Sequence, residues 1–161
     1  MKESGKDKKQ FAVPIEKNQR WIEALEQGID ALDEDIRATI MKPAGESCAS
    51  DIRILCEKYL GRRIYSLDDL IAGWNKLREN RGLNGRWEIT ENHVRGVFEE
   101  CGCPLIASGL VKLHPTHCYC SQAMMHSIFE EVTGKPVDVE IKQSIGRGDD
   151  VCDFLISIFE S

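Results

Sequence analysis

The sequence predicts an α+β fold: a helical N-terminal half, then an antiparallel sheet of about four strands packed with a helix. Three observations carry that expectation. Apolar residues recur at helical spacing early on, as Ile22, Leu25, Ile29, Leu32, Ile36 and Ile40, which forms one stripe along a helix. Later the period drops to two, in Val137, Val139 and Ile141 and again in Cys152, Phe154, Ile156 and Ile158, the alternation of half-buried strands. Between those two runs lies Gly146-Arg147-Gly148-Asp149-Asp150, a turn that makes them a hairpin.

Each element follows in order. Residues 1–10, MKESGKDKKQ, carry four lysines and read as a disordered tail. A helical region is expected over 11–83. Its first helix holds the 22–40 stripe and is ended by Pro43 and Gly45. Ser50 caps a second helix holding Ile52, Leu55, Cys56 and Tyr59, with Gly61 after its end. Ser66 and Asp69 have capping-box spacing and open a third, with Leu67, Leu70, Ile71, Trp74 and Leu77 inward. Gly82 and Gly85 stop it. An α+β unit over 84–161 then begins with strands at Arg86–Thr90 and Val94–Cys101, joined by a turn at Glu91–Asn92. Residues 104–116 look irregular. Met124, Ile128 and Val132 are four apart and mark a helix from about Cys118 to Thr133, closed by Gly134. The hairpin of Val137–Ile141 and Cys152–Ile158 completes the sheet.

Composition bounds the function. The chain has 161 residues, 42% of them hydrophobic, and a net charge of −6. It can bury a core without disulfides, and its acidic balance argues against a nucleic-acid partner. No run approaches the ~18 apolar residues of a membrane span, and no apolar segment follows the basic start as a signal peptide requires. Seven cysteines without an export signal point to a reducing cytoplasm, where thiols bind metal, react or fill cores more often than they form bridges.

Four of those cysteines form two Cys-x-Cys pairs, Cys101-Gly102-Cys103 and Cys118-Tyr119-Cys120. Four thiolates in a tetrahedron are a common structural zinc site, although Cys-x-Cys is less diagnostic than Cys-x-x-Cys. His114 and His117 precede the second pair and open a mixed Cys/His site. His93 and His126 have no supporting spacing. Cys118 and Cys120 sit at a predicted helix start, where the positive end of the dipole favours a thiolate. That makes either a candidate nucleophile with His117 or His114 as base, but no acid to orient the base stands out. By periodicity Cys152 is a core thiol, as is Cys56. Cys48 lies in the Gly45-Glu46-Ser47 loop region and could reach a site. Arg147-Gly148-Asp149 needs only turn chemistry.

The order of motifs in the second half resembles a known family. Cys118-Tyr119-Cys120-Ser121 and a helix ending Phe129-Glu130-Glu131-Val132-Thr133-Gly134 come first. Pro136-Val137-Asp138-Val139-Glu140 and Gly148-Asp149-Asp150-x-Cys152-x-Phe154 follow. This is similar to the 4-vinyl-reductase-like small-molecule-binding domains, over residues 96–159. The Cys101-x-Cys103-Pro104-Leu105 segment resembles their cysteine-rich bacterial branch, and also the aminothiazoline-carboxylate hydrolase-like proteins. The resemblance implies a fold related to transport-particle and nitric-oxide-signalling ligand domains. It also implies a pocket between helix and sheet for a small hydrophobic or cyclic ligand, and a metal-ligand role for Cys152.

Three functions follow from these readings. One is a cytoplasmic small-molecule-binding module whose Cys101, Cys103, Cys118 and Cys120, with Cys152, His114 or His117 as substitutes, hold zinc. Another is a cysteine-dependent hydrolase or reductase-like enzyme on a small cyclic substrate, with Cys118 or Cys120 as nucleophile. The third is an assembly protein, a homodimer built on the 22–40 stripe.

Overall fold

A computed structural model describes residues 13–160 apart from Asn92. The 1–10 tail and half of the Glu91–Asn92 turn therefore lie outside the described residues. The order is three helices (α1 Ile15–Asp30, α2 Glu34–Leu60, α3 Leu67–Asn80), a hairpin (β1 Arg86–Thr90, β2 His93–Phe98), a one-turn helix (α4 Pro104–Ala107), a long helix (α5 His117–Thr133) and a second hairpin (β3 Val137–Gln143, β4 Cys152–Ile158). The four strands form one antiparallel sheet in the order β1-β2-β4-β3. The α+β expectation is met. Among the described residues no helix is long and apolar enough to cross a membrane.

The helical half departs from the expected boundaries. The 22–40 stripe is split by a break at 31–33 into α1 and α2, and α2 then runs through Pro43 and Gly45 to Leu60. An interior proline costs roughly 3 kcal/mol, so packing must hold this helix together. Gly45 shows where that packing lies: it is buried, and a Cβ there would clash with the Cys120 carbonyl and stand 2.7 Å from the Ala123 Cβ. Backbones of α2 and α5 meet at that point. Ser50, expected to cap a separate second helix, lies inside α2 instead, whereas three other caps fall where expected. Ser66 Oγ accepts the Asp69 N–H at 3.2 Å, and Gly61 and Gly134 end α2 and α5 in the left-handed conformation, which glycine adopts without penalty.

The strand register builds the aromatic wall of the core. Trp87 on β1 pairs with Gly96 on β2, and Gly96 pairs with Phe154 on β4. The glycine leaves a gap in that row: a Cβ would stand 2.7 Å from Trp87 Cε3 and 2.5 Å from Phe98 Cζ. Trp87 and Phe154 therefore stack across it with centroids 6.2 Å apart, while Trp87 meets Phe98 at 5.1 Å. Trp74 of α3 closes on Trp87 at 5.2 Å, and Phe129 of α5 on Trp87 at 5.6 Å. Such pairs add about 0.5–1.5 kcal/mol each beyond the area they bury. Leu70, Val94, Ile128, Phe129 and Ile156 are fully enclosed around them.

Candidate functional site

Where α2, α3 and α5 approach the sheet, the core does not fill. A cavity of about 150 Å³ remains. Its walls follow from the elements just described. α3 contributes Trp74 and Arg78, the sheet contributes Trp87, Phe98 and Phe154, and the two methionines of α5, Met124 and Met125, close one side. An apolar void of roughly this size admits a benzene-sized molecule. A second hollow of about 650 Å³ lies between α2 and α5, but it is an open cleft flanked by Lys42, Glu46, Glu130, Glu131 and Asp138. Water solvates such a cleft, so it gives an apolar ligand little reason to bind.

Five cysteines also line the cavity: Cys48, Cys101, Cys103, Cys120 and Cys152. Three of the four paired cysteines thus converge where the sequence placed the site, joined by Cys152 and by Cys48 from α2. Cys118 does not line it. Its Sγ is buried and hydrogen-bonded to Ser144 Oγ at 2.9 Å, under the single 3₁₀ turn Ile145–Arg147. The helix explains the separation. Residues two apart on an α-helix point about 200° from one another, so Cys118 and Cys120 cannot both face the cavity.

That geometry does not bring the expected zinc ligands together. Among the described residues, no group of three or more His, Cys, Asp or Glu side chains is placed to hold a metal ion. The tetrathiolate of Cys101, Cys103, Cys118 and Cys120 is not assembled, and the residues present do not fit the group. All seven cysteines are free.

Burial governs the chemistry of the lining thiols. It pushes Cys120 up to about 12, reinforced by the neighbouring Cys48 and Cys103. It also raises Cys48, with Cys103 beside it, and likewise Cys101 and Cys152. A thiol held protonated behaves as a small hydrophobe rather than a nucleophile. For Cys120, loss of water outweighs the helix-start position that suggested a thiolate.

The histidines take structural places. His117 Nδ1 accepts the His114 backbone N–H at 3.2 Å, and its Nε2 pairs with the buried Glu26 of α1. His114 Nδ1 accepts the Thr116 N–H at 3.2 Å. Both close the turn that leads into α5, and neither lines the cavity. His93 is exposed at the start of β2, and His126 pairs with Glu130 at 3.7 Å on the surface.

Sequence reading did not single out Arg78. It lies on α3, 6% exposed, with its guanidinium 3.8 Å over the Phe98 ring. Its Nη2 donates to the Asn84 carbonyl at 2.7 Å and its Nε toward that of Gly85 at 3.5 Å. Gly102, between the first two cysteines, packs against it: a Cβ there would sit 3.1 Å from Nη1.

A family model described as a family of unknown function (DUF6144) matches residues 5–161. No curated protein matches the sequence. Among solved structures, the chain is similar to trafficking protein particle complex subunit 3 from Naegleria fowleri, covalently bound to palmitic acid. That match has a TM-score of 0.59 and 13% identity, and covers 91% of this chain and 93% of that one. The phenol-responsive sensory domain of the transcription activator PoxR, with phenol, gives 0.54 at 15% identity, over 92% and 76%. An H-NOX protein from S. oneidensis in the Fe(II)NO ligation state gives 0.54 at 10%, over 98% and 84%. At such identities the likeness is one of fold, and at that level the expected kinship with transport-particle domains is found.

Proposed function

The chain belongs to the DUF6144 family of unknown function, and we propose that it is a small-molecule-binding module whose ligand occupies the cysteine- and aromatic-lined cavity. The observation that carries this reading is the cavity itself, about 150 Å³ and walled by Trp74, Trp87, Phe98 and Phe154. The pocket opens past the exposed Arg81 and Pro104, so a ligand has a way in to its apolar walls. Solved structures sharing the fold hold palmitic acid, phenol and nitric oxide in their own sites, which supports a ligand-holding role for this one. The ligand class that fits is small, apolar and flat enough to lie among Trp87, Phe98 and Phe154.

Tryptophan fluorescence tests it, because Trp74 and Trp87 line the cavity while Trp21 is 65% exposed. Titration with a panel of single-ring and short branched probes should change the emission. It should also raise the melting temperature, by an amount equivalent to about 2.7 kcal/mol at a hundredfold excess over Kd. Cys48→Leu, which fills the cavity, should abolish both effects. A panel that changes neither quantity would refute the reading.

A second reading concerns assembly, and a specific observation favours it. Trp21, Leu25, Leu32, Ile36 and Ile40 are 65%, 50%, 39%, 46% and 46% exposed, and they follow one another along α1 and α2. Their summed exposure is on the order of 500 Å² of apolar surface. A homodimer interface buries about 800 Å² per copy, some 65% of it apolar. This stripe supplies that fraction, so the occupant it fits is the same stripe of a second copy.

A further inference from the structure

Four charged side chains among the described residues are buried: Glu26, Asp69, Arg78 and Asp153. Two have a counter-charge, Asp69 in Arg62 at 2.6 Å and Asp153 in Arg95 at 2.8 Å, and Glu26 is held by the His117 ring through Nε2. Arg78 has no ion pair: among the described residues no carboxylate comes within 4.0 Å of it, and Glu100 acts on it only from farther off. Glu100, which also lines the cavity, is turned to Asn84, accepting its backbone N–H at 2.9 Å and its amide at 3.1 Å. Two carbonyls and an aromatic face hold the guanidinium, and Nη1 has no acceptor among the described residues. Arginine stays protonated in proteins, so this is a largely buried cation with no ion-pair partner, held by two carbonyls and a ring face.

The cavity is where the partner belongs. Arg78 lines it, and the surrounding thiols and rings are neutral. A second donor on the same walls, the buried Trp87 indole N–H, also lacks an acceptor. We propose that the ligand is an anion: a small carboxylic acid whose ring or branched chain packs on Trp87, Phe98 and Phe154 and whose carboxylate accepts hydrogen bonds from Arg78. The assignment rests on the reading that the cavity binds a small molecule, and it specifies which kind. Guanidinium matches the planar carboxylate, and the low-polarity walls strengthen the pairing.

The experiment compares isosteric pairs on the unaltered protein: benzoate against benzamide, and cyclohexanecarboxylate against cyclohexanemethanol, by calorimetry at pH 7. The acids should bind roughly tenfold to hundredfold more tightly, the range a charged hydrogen bond supplies. Arg78→Met should bring the acids down to the affinity of their neutral partners and leave the neutral partners unchanged. Arg78→Lys should restore part of the difference. Neutral members binding as tightly as the acids would overturn the anion assignment while leaving a binding cavity. Binding by no member of either pair would refute the cavity reading and the assignment with it. Because the first comparison needs no variant, loss of folding in Arg78→Met leaves the test intact.

Discussion

Replacing Gly45 by alanine should destabilise the protein, although alanine is the better helix former. Gly45 is interior to α2, so helix propensity alone predicts a gain of about 0.8–1 kcal/mol. The contact with α5 opposes it. The new methyl would clash with the Cys120 carbonyl and stand 2.7 Å from the Ala123 Cβ and 2.9 Å from the Met124 nitrogen. Carbon atoms rest at roughly 3.5–4.0 Å, so the helices must part by on the order of 1 Å, which forfeits up to about half the dispersion energy across the seam. Overpacking of this kind typically costs about 1–3 kcal/mol. Gly73→Ala on α3 should behave alike, with its Cβ 2.7 Å from the Cys56 carbonyl. Gly28→Ala is the control: it lies on α1 with nothing within 4 Å and should stabilise by about 0.5–1 kcal/mol. Urea unfolding at constant m-value measures each change. In a chain of this size 1 kcal/mol moves the melting temperature by about 2–4 °C. A Gly45→Ala protein as stable as the parent would refute the close α2–α5 approach.

Other consequences can be checked directly. Burial holds Cys56 and Cys120 up to about 12, so iodoacetamide at pH 7.5 should label both slowly until denaturant is added. Fast labelling of Cys120 in native protein would revive it as a nucleophile. Arg95 holds the Asp153 carboxyl below the usual range, and the Tyr65 N–H does the same for Asp69. The unfolded chain then binds the more readily held protons, so their stabilisation is complete above about pH 4 and lost as the pH falls through the folded values. Asp153→Asn should flatten the acid limb of a stability–pH curve, and an unchanged limb would show that the pair contributes nothing. Leu25→Glu should halve the mass seen by light scattering if the exposed stripe joins two copies. An unchanged mass removes the stripe from any interface.

Fold class was legible because each half keeps one period. The strands and α3 announced themselves by alternation and by the Ser66 cap, and their observed bounds follow except for β2, expected to reach Cys101 but ending at Phe98. The boundary between α1 and α2 was not legible, because propensity and packing disagree there. Pro43 and Gly45 stop a helix judged locally, yet α2 continues through both, since its stability comes from the face laid on α5 and not from its own residues. Within α1, Ile29 turns inward, 8% exposed, while Leu25 stays 50% exposed, and past the break Ile36 and Ile40 stay 46% exposed.

The cysteines converge on the cavity, but their spacing does not describe its chemistry. Spacing counted ligands along the chain, whereas an α-helix sends Cys118 and Cys120 to different sides, and burial then keeps Cys120 neutral. The better signal lay on α3. Its inward residues Leu70, Ile71, Trp74 and Leu77 define an apolar face, and Arg78 follows four residues after Trp74, on that same face. A charge inside a buried stripe is the informative exception to hydrophobic patterning, because desolvating it is costly unless something compensates. Here two carbonyls and the Phe98 ring compensate in part. The remaining demand points into the cavity, so one misplaced charge says more about the ligand than five well-placed thiols.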